Sequence, residues 1–320
     1  MSAGTFLHRA CPMCGGSAGR EEVHSRTRAE TLDLEALRPS WSGLFKEKLF
    51  FSYHRCAGCG LLYTPVFFDR DQLADLYSRM APNMDLVASN AIAATQRGYF
   101  DRAARTAPLE GGYLEIGPDV GYIAAEAARR GAFDHFWLFE PNRAVHETLR
   151  AAVGGNPATL LADMEDLSPV PDGSIGLAVM VHVLDHLLDP LEMLARIRAK
   201  LRPGGRLMIV THNERSLLRT LMGVRWPPFC LQHPELYSPE TIRRLLALAG
   251  YADIAVERSR NYFPLDFLAR QAAWGVGLDL ARVPLPSAAI GLRLGNILTL
   301  ARAPDQAAAA RMPNRLEAMP

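Results

Sequence analysis

The stretch from Tyr113 to Gly121, YLEIGPDVG, constrains the fold of this chain more than any other. Tyr113, Leu114 and Ile116 predict a short buried strand. Gly117 and Gly121 then predict a tight turn into an alanine-rich helix that starts near Val120. Glu115 stands at the end of the strand. Because glycine carries no Cβ, a ligand could approach the backbone of the turn closely. Strand, glycine turn and helix with an acid at the strand end is the arrangement of a nucleotide-type cofactor site.

The chain around that stretch has 320 residues, enough for a full-sized core and a smaller module. Hydrophobic content of 49%, charged content of 22% and a net charge of +1 describe an ordinary globular protein. Lys+Arg 35 against Asp+Glu 34 leaves no excess of the kind a wrapped nucleic acid demands, so no nucleic-acid partner is expected. No window approaches the roughly 20 apolar residues of a membrane helix, and the N-terminus lacks the apolar run of a signal peptide. The expected location is cytoplasmic. There thiols stay reduced, so the five cysteines call for an explanation other than disulfides.

Four of them supply one. Cys11 and Cys14 form CPMCGG, Cys56 and Cys59 form CAGCG, and each pair is a C-x-x-C knuckle followed by glycine. Two knuckles can place four thiolates tetrahedrally around one structural zinc ion, leaving no open position for catalysis. The segment between them is longer than the roughly 15 to 20 residues of a compact zinc ribbon. Its apolar residues, including Leu32, Leu37, Trp41 and Phe50, predict an insert that folds back on the module. The expected units are a four-cysteine zinc module over 1–68, a main domain with a helical lead-in over 69–303, and a disordered tail over 304–320.

Beyond the glycine turn, strand and helix patterns alternate. HFWLFE reads as a second strand ending in Glu140 and Pro141, about 20 residues after the turn, where an acid can accept hydrogen bonds from ribose hydroxyls. A third strand (about 158–161) leads to Asp163, Met164 and Glu165. Asp163 could accept from an adenine amine with Met164 against the ring, or Asp163 could simply cap the next turn. IGLAVMVHVL is an unbroken apolar run suited to a strand buried on both faces, and it ends in His182, Asp185 and His186. RLMIVTHN follows as a fifth strand, ending at His212. Such alternation implies a parallel sheet with ligands at the carboxyl ends of its strands.

Five of these motifs together, YLEIGPDVG, FEPN, ADMEDL, VHVLDHLLDP and LRPGGRLMIV, resemble class I S-adenosylmethionine-dependent methyltransferases in order and rough spacing. The resemblance implies an α/β, Rossmann-like, seven-stranded fold. Glu115, Gly117 and Gly121 would form the methionine and ribose cradle, with Glu140 on ribose, flanked by Pro141, and Asp163 and Met164 on adenine. His182 would border the methyl-bearing sulfur. The family's loop usually has a middle glycine where this chain has Asp119, a residue that adopts left-handed torsions at modest cost.

The stretch RSLLRTLMGVRWPPFCLQHPELY, 215–237, is the expected substrate side. It is similar to the E-H-x-x-x-F-S segment of zinc-bearing methyltransferases, including sugar C-methyltransferases, with His233 and Tyr237 matching and Gln232 replacing the acid. Those enzymes carry a further C-terminal domain. The function implied is methyl transfer to a small-molecule acceptor, a secondary metabolite or sugar derivative, with His233 as base and His182 and Tyr237 beside the chemistry. Two other readings compete: a noncatalytic cofactor-binding or scaffold protein with a degenerate loop, and an RNA or protein methyltransferase. A homodimer is compatible with all three. YADIAVERSR and GLRLGNILTLAR read as the sixth and seventh strands, the last antiparallel, with a helix over about 264–280 between them.

Overall fold

The computed structural model describes residues 6–41, 48–78, 89–275, 283, 286 and 288–304. The tail expected to be disordered lies, from 305 onward, outside the described residues.

The N-terminal part contains β1 (Leu7–His8), β2 (Gly19–Val23), α1 (Leu34–Leu37), β3 (Tyr53–Cys56), β4 (Leu62–Tyr63), β5 (Val66–Phe67) and α2 (Arg70–Ser78). β2, β3 and β4 pair antiparallel, and β1 pairs with β5. The insert between the knuckles folds back as expected. Leu37, Trp41, Phe51, Phe67, Phe68 and Leu76 form a buried cluster of their own.

From α3 (Ser89–Ala103) the chain enters the alternating region: β6 (Glu110–Ile116), α4 (Tyr122–Arg130), β7 (Ala132–Phe139), α5 (His146–Ala152), β8 (Ala158–Leu161), β9 (Ile175–Val181), α6 (Pro190–Lys200) and β10 (Leu201–His212). After α7 (Leu217–Met222) and β11 (Glu235–Leu236) come α8 (Pro239–Leu248), β12 (Ala252–Arg258), β13 (Asn261–Pro264), α9 (Leu265–Gly275), β14 (Ala289–Leu292) and β15 (Asn296–Arg302). The central sheet has seven strands in the order β12-β15-β10-β9-β6-β7-β8. β6 to β10 run parallel, and β15 is antiparallel to both its neighbours. This is the Rossmann-like class I methyltransferase topology.

Two layers cover the sheet. Ile116, Met180, Leu194, Ile197, Ile209, Ile242 and Leu245 pack on the face carrying α6 and α8, and Cys11, Cys56 and Cys59 belong to the same cluster. Phe100, Ile123, Ala127, Phe136, Leu149 and Val179 pack on the other. β9 contributes to both, which is why its sequence has no alternation. α8 starts at a capping box, with the Ser238 side chain accepting from Thr241 N–H and the Thr241 hydroxyl receiving Ser238 N–H.

Three expectations can be set beside the structure. The run GLRLGNILTLAR is not one strand: β14 pairs with β13 as a separate hairpin, and only β15 joins the central sheet. The helix foreseen over 264–280 begins at Leu265 and runs to Gly275, and 276–280 lie outside the described residues. The expected boundary at residue 68 separates less than it suggests, because β11, from the 215–237 stretch, pairs with β4 and completes the N-terminal sheet.

Candidate active site

The loop after β6 turns through left-handed torsions at Gly117 (φ 69), Asp119 (φ 52) and Gly121 (φ 83). Asp119 thus takes the conformation usual for glycine. Its N–H donates to Glu140 Oε2 at 2.9 Å, and Asn142 N–H donates to Oε1 at 2.8 Å. The loop is therefore tied to the end of β7. Gly117 N–H extends that link by donating to Phe139 O at 2.8 Å. The glycines are required by the protein's own packing as well as by torsion. A Cβ on Gly117 would lie 2.6 Å from Val183 Cγ2, and one on Gly121 would lie 2.6 Å from Leu149 Cδ1.

Glu115 is buried and accepts from the Tyr113 hydroxyl at 2.7 Å. Burial raises its carboxyl to about 7, opposed by the Tyr113 hydrogen bond and reinforced by Glu140. Glu140 is also raised, chiefly by burial. Two carboxylates on adjacent strand ends fit a ligand that brings donors, such as an ammonium and a ribose diol. Asp163 accepts Glu165 N–H at 2.8 Å through Oδ1 in an exposed turn, an arrangement that leaves its second oxygen for a ligand. Met164 packs partly against the α6 and α8 layer.

At the ends of β9 and β10 four imidazoles converge on one carboxylate. Register places Val181 beside Val210, so that the residues just beyond, His182 and His212, lie with ring centroids 4.5 Å apart. His233 lies 4.9 Å from His212 and 4.6 Å from His186. Asp185 is fully buried, and its Oδ2 lies 2.6 Å from His212 Nδ1. That contact makes Nδ1 the protonated nitrogen, leaving the lone pair on Nε2. The His212 side chain is 21% exposed, and Nε2 meets no hydrogen-bond partner among the described residues.

The other three histidines are engaged differently. His182 has a left-handed backbone (φ 52), its Nε2 lies 3.2 Å from Asn296 Nδ2, and its Nδ1 is buried without a partner among the described residues. His186 Nδ1 meets the Tyr77 hydroxyl at 2.9 Å. Burial lowers both to about 3, and it lowers His212 too, against the pull of Asp185. His233 moves the other way: burial alone would lower it, yet Cys230 Sγ at 3.3 Å raises it to about 9. Burial raises the Cys230 thiol, but His233, with the Gln232 N–H and Lys48, lowers it overall. His233 Nδ1 also donates to Pro228 O at 2.7 Å. Tyr237 is wholly buried, with its hydroxyl unpartnered among the described residues.

The four knuckle cysteines come together. Cys11 and Cys59 Sγ are 3.4 Å apart, Cys14 and Cys56 Sγ 3.5 Å, and all four sulfurs lie within 4.8 Å of one another. A donor set of four sulfurs in this arrangement fits zinc. The knuckles also brace the 215–237 stretch. Arg9, two residues ahead of Cys11, pairs with buried Glu235 at 2.6 Å and donates to Thr64 O and Pro234 O. The Tyr53 hydroxyl donates to His233 O at 2.6 Å.

The structure thus gathers Glu115, Gly117, Asp119, Gly121 and Glu140 around one loop, and His182 and His233 around another centre with His212. The feature that sequence reasoning missed is the pairing of Asp185 with His212. The only signal for it was that both stand at the ends of consecutive parallel strands.

The sequence model of a family described as a methyltransferase domain matches residues 88–256. A ubiquinone biosynthesis O-methyltransferase of Caulobacter vibrioides is 30% identical over 158 residues, 46% of this chain and 63% of that protein. The match therefore spans less than two thirds of that relative's length. Among solved structures, an S-adenosylmethionine-dependent methyltransferase of Archaeoglobus fulgidus aligns with a TM-score of 0.46 at 16% identity, covering 73% of this chain and 100% of that one. One from Mesorhizobium loti aligns at 0.44 and 19% identity, covering 64% and 97%.

Proposed function

The chain belongs to the methyltransferase-domain family, and from that premise we propose that it transfers a methyl group from S-adenosylmethionine to a small-molecule acceptor held over the ends of β9 and β10. The observation that carries the cofactor half of this reading is the loop at Gly117, Asp119 and Gly121, left-handed at all three positions and tied to Glu140. The bound cofactor supplies an electrophilic methyl on a sulfonium, displaced in line by the acceptor. The residues that would hold it are Glu115, Gly117, Asp119, Gly121, Glu140 and Pro141, with Met164 near the adenine and His182 bordering the sulfur. Asp163 would accept from the adenine amine beside it.

The protein's share of the chemistry is alignment and removal of a proton. His212 is the better base by geometry: Asp185 fixes its tautomer, its Nε2 is open, and it is neutral at physiological pH. His233, the residue the sequence points to, is raised beside Cys230, and we assign it to orienting or donating to the acceptor. The small-molecule acceptor agrees with the relative's description as a ubiquinone biosynthesis O-methyltransferase. The four cysteines are proposed to hold one structural zinc ion.

Calorimetric titration with S-adenosylmethionine tests the reading. One equivalent should bind per chain. Affinity should tighten as pH rises through about 7, because Glu115 is then deprotonated and can pair with the cofactor's ammonium. Glu115→Gln should flatten that dependence. Absence of binding to metal-loaded protein would sink the proposal.

A further inference from the structure

A cavity of about 670 Å³ opens between the second cysteine knuckle, the first turn of α8 and the ends of β10, β12 and β15. Cys59 and Gly60 form one wall, Ser238 to Thr241 another, and Asn213 and Ile297 mark the strand ends. This size lies within the range of small-molecule sites. It is separate from the imidazole cluster, yet Asn213 directly follows His212 in the chain, and Ile297 pairs with Thr211.

The lining is cationic in a way that the protein's own carboxylates do not neutralise. Arg215, Arg244 and Arg258 all line the cavity, with Glu240 and Glu257 as the acids. Glu257 is occupied by a two-pronged pair with Arg102. Arg215 reaches Glu214 at 3.2 Å, but Glu214 is already held by Arg55 at 2.8 and 3.1 Å. Arg244 donates to Cys59 O at 2.9 Å, and neither it nor Arg258 makes an ion pair among the described residues. Arg215, Arg244 and Arg258, all exposed, thus line the cavity with Glu240, which lies near Arg215 and Arg243 but makes no ion pair within 4 Å among the described residues. Guanidinium forks match phosphate oxygens in geometry and charge.

We propose that this cavity binds the phosphate or diphosphate group of the methyl acceptor, with the cysteine module as one wall. The assignment to the acceptor rests on the methyl-transfer reading above, whereas the anion site itself does not. The reacting end of the acceptor then lies at His212 and its anionic end beyond Asn213. The cysteine module acquires a binding role in addition to bracing the 215–237 stretch.

Titration of the full, metal-loaded chain with inorganic pyrophosphate, without cofactor and at about 0.05 M salt, reads the site directly. One equivalent should bind, and Arg258→Ala or Arg215→Ala should weaken it about tenfold. Arg202→Ala, whose arginine pairs with Glu110 at the far end of the sheet, should leave binding unchanged. No binding, equal loss in Arg202→Ala, or succinate binding as tightly as pyrophosphate would overturn the phosphate site. The acceptor assignment has its own arm: a small-molecule extract is supplied with S-adenosylmethionine, half of it after alkaline phosphatase treatment. S-adenosylhomocysteine formation should fall in the treated half, and equal formation in both halves would overturn the link to the acceptor. Formation in neither half would count against methyl transfer while leaving the pyrophosphate result to stand alone.

Discussion

Replacing His212 by Gln is expected to lower methyl transfer about 10² to 10⁴-fold while S-adenosylmethionine binding stays at its wild-type value. The size follows from general-base catalysis, and the specificity from geometry. Among the four clustered histidines, His212 combines a nitrogen open to the acceptor with a tautomer fixed by a carboxylate. Asp185→Asn should cost nearly as much, since an amide can present its N–H to Nδ1 and turn the lone pair away from the acceptor. In the wild type, the rate should fall on acidification with a midpoint below the ordinary histidine value of about 6.5. The sign is fixed by burial, which lowers His212 despite Asp185; His182, His186 and His233 face it as further titratable groups. His233→Gln should retain most of this pH dependence. Should His233→Gln abolish turnover while His212→Gln transfers normally, the roles assigned to the two residues would be reversed.

Removing one knuckle thiol is expected to have the largest effect on stability. Cys56→Ser leaves three sulfurs where four converge, and metal content should drop below about half an equivalent per chain. The folded state should lose on the order of 3 kcal/mol or more, read as a lower thermal midpoint. The loss should be uneven. Arg9, Tyr53 and the β4–β11 pairing transmit the knuckles' order to the segment that carries His233, whereas the Gly117 loop and Glu140 are held by the central sheet. Hydrogen exchange should therefore accelerate over 228–237 before it does over 113–121, and cofactor binding should outlast turnover. Uniform exchange across both segments would contradict this division.

The central sheet was legible in the sequence because its strands are buried on both faces and so read as plain apolar runs. IGLAVMV and RLMIV have no other sensible home. The knuckles were legible for a different reason: metal-ligand spacing is local, and the sulfurs meet as the spacing requires. What escaped reading was set by tertiary register. Asp185 and His212 are 27 positions apart, and only the pairing of β9 with β10 brings them within 2.6 Å. The Cys230 thiol raises His233 against burial because the loop folds Sγ back onto Nδ1, a contact that no local pattern announces. The misread seventh strand has an equally physical source: β14 and β15 are both apolar, and the residues between them carry no strong turn signal apart from Gly295.

The question at the centre is whether the loop around Asp119 and the carboxylates beside it hold S-adenosylmethionine. A crystal structure of the chain with S-adenosylhomocysteine answers it most directly. The account predicts the ribose diol on Glu140, the amino-acid end along Gly117 to Gly121 near Glu115, and the sulfur facing His182. A ligand bound away from the ends of β6, β7 and β9, or a Glu140 that stays clear of the ribose, would contradict it.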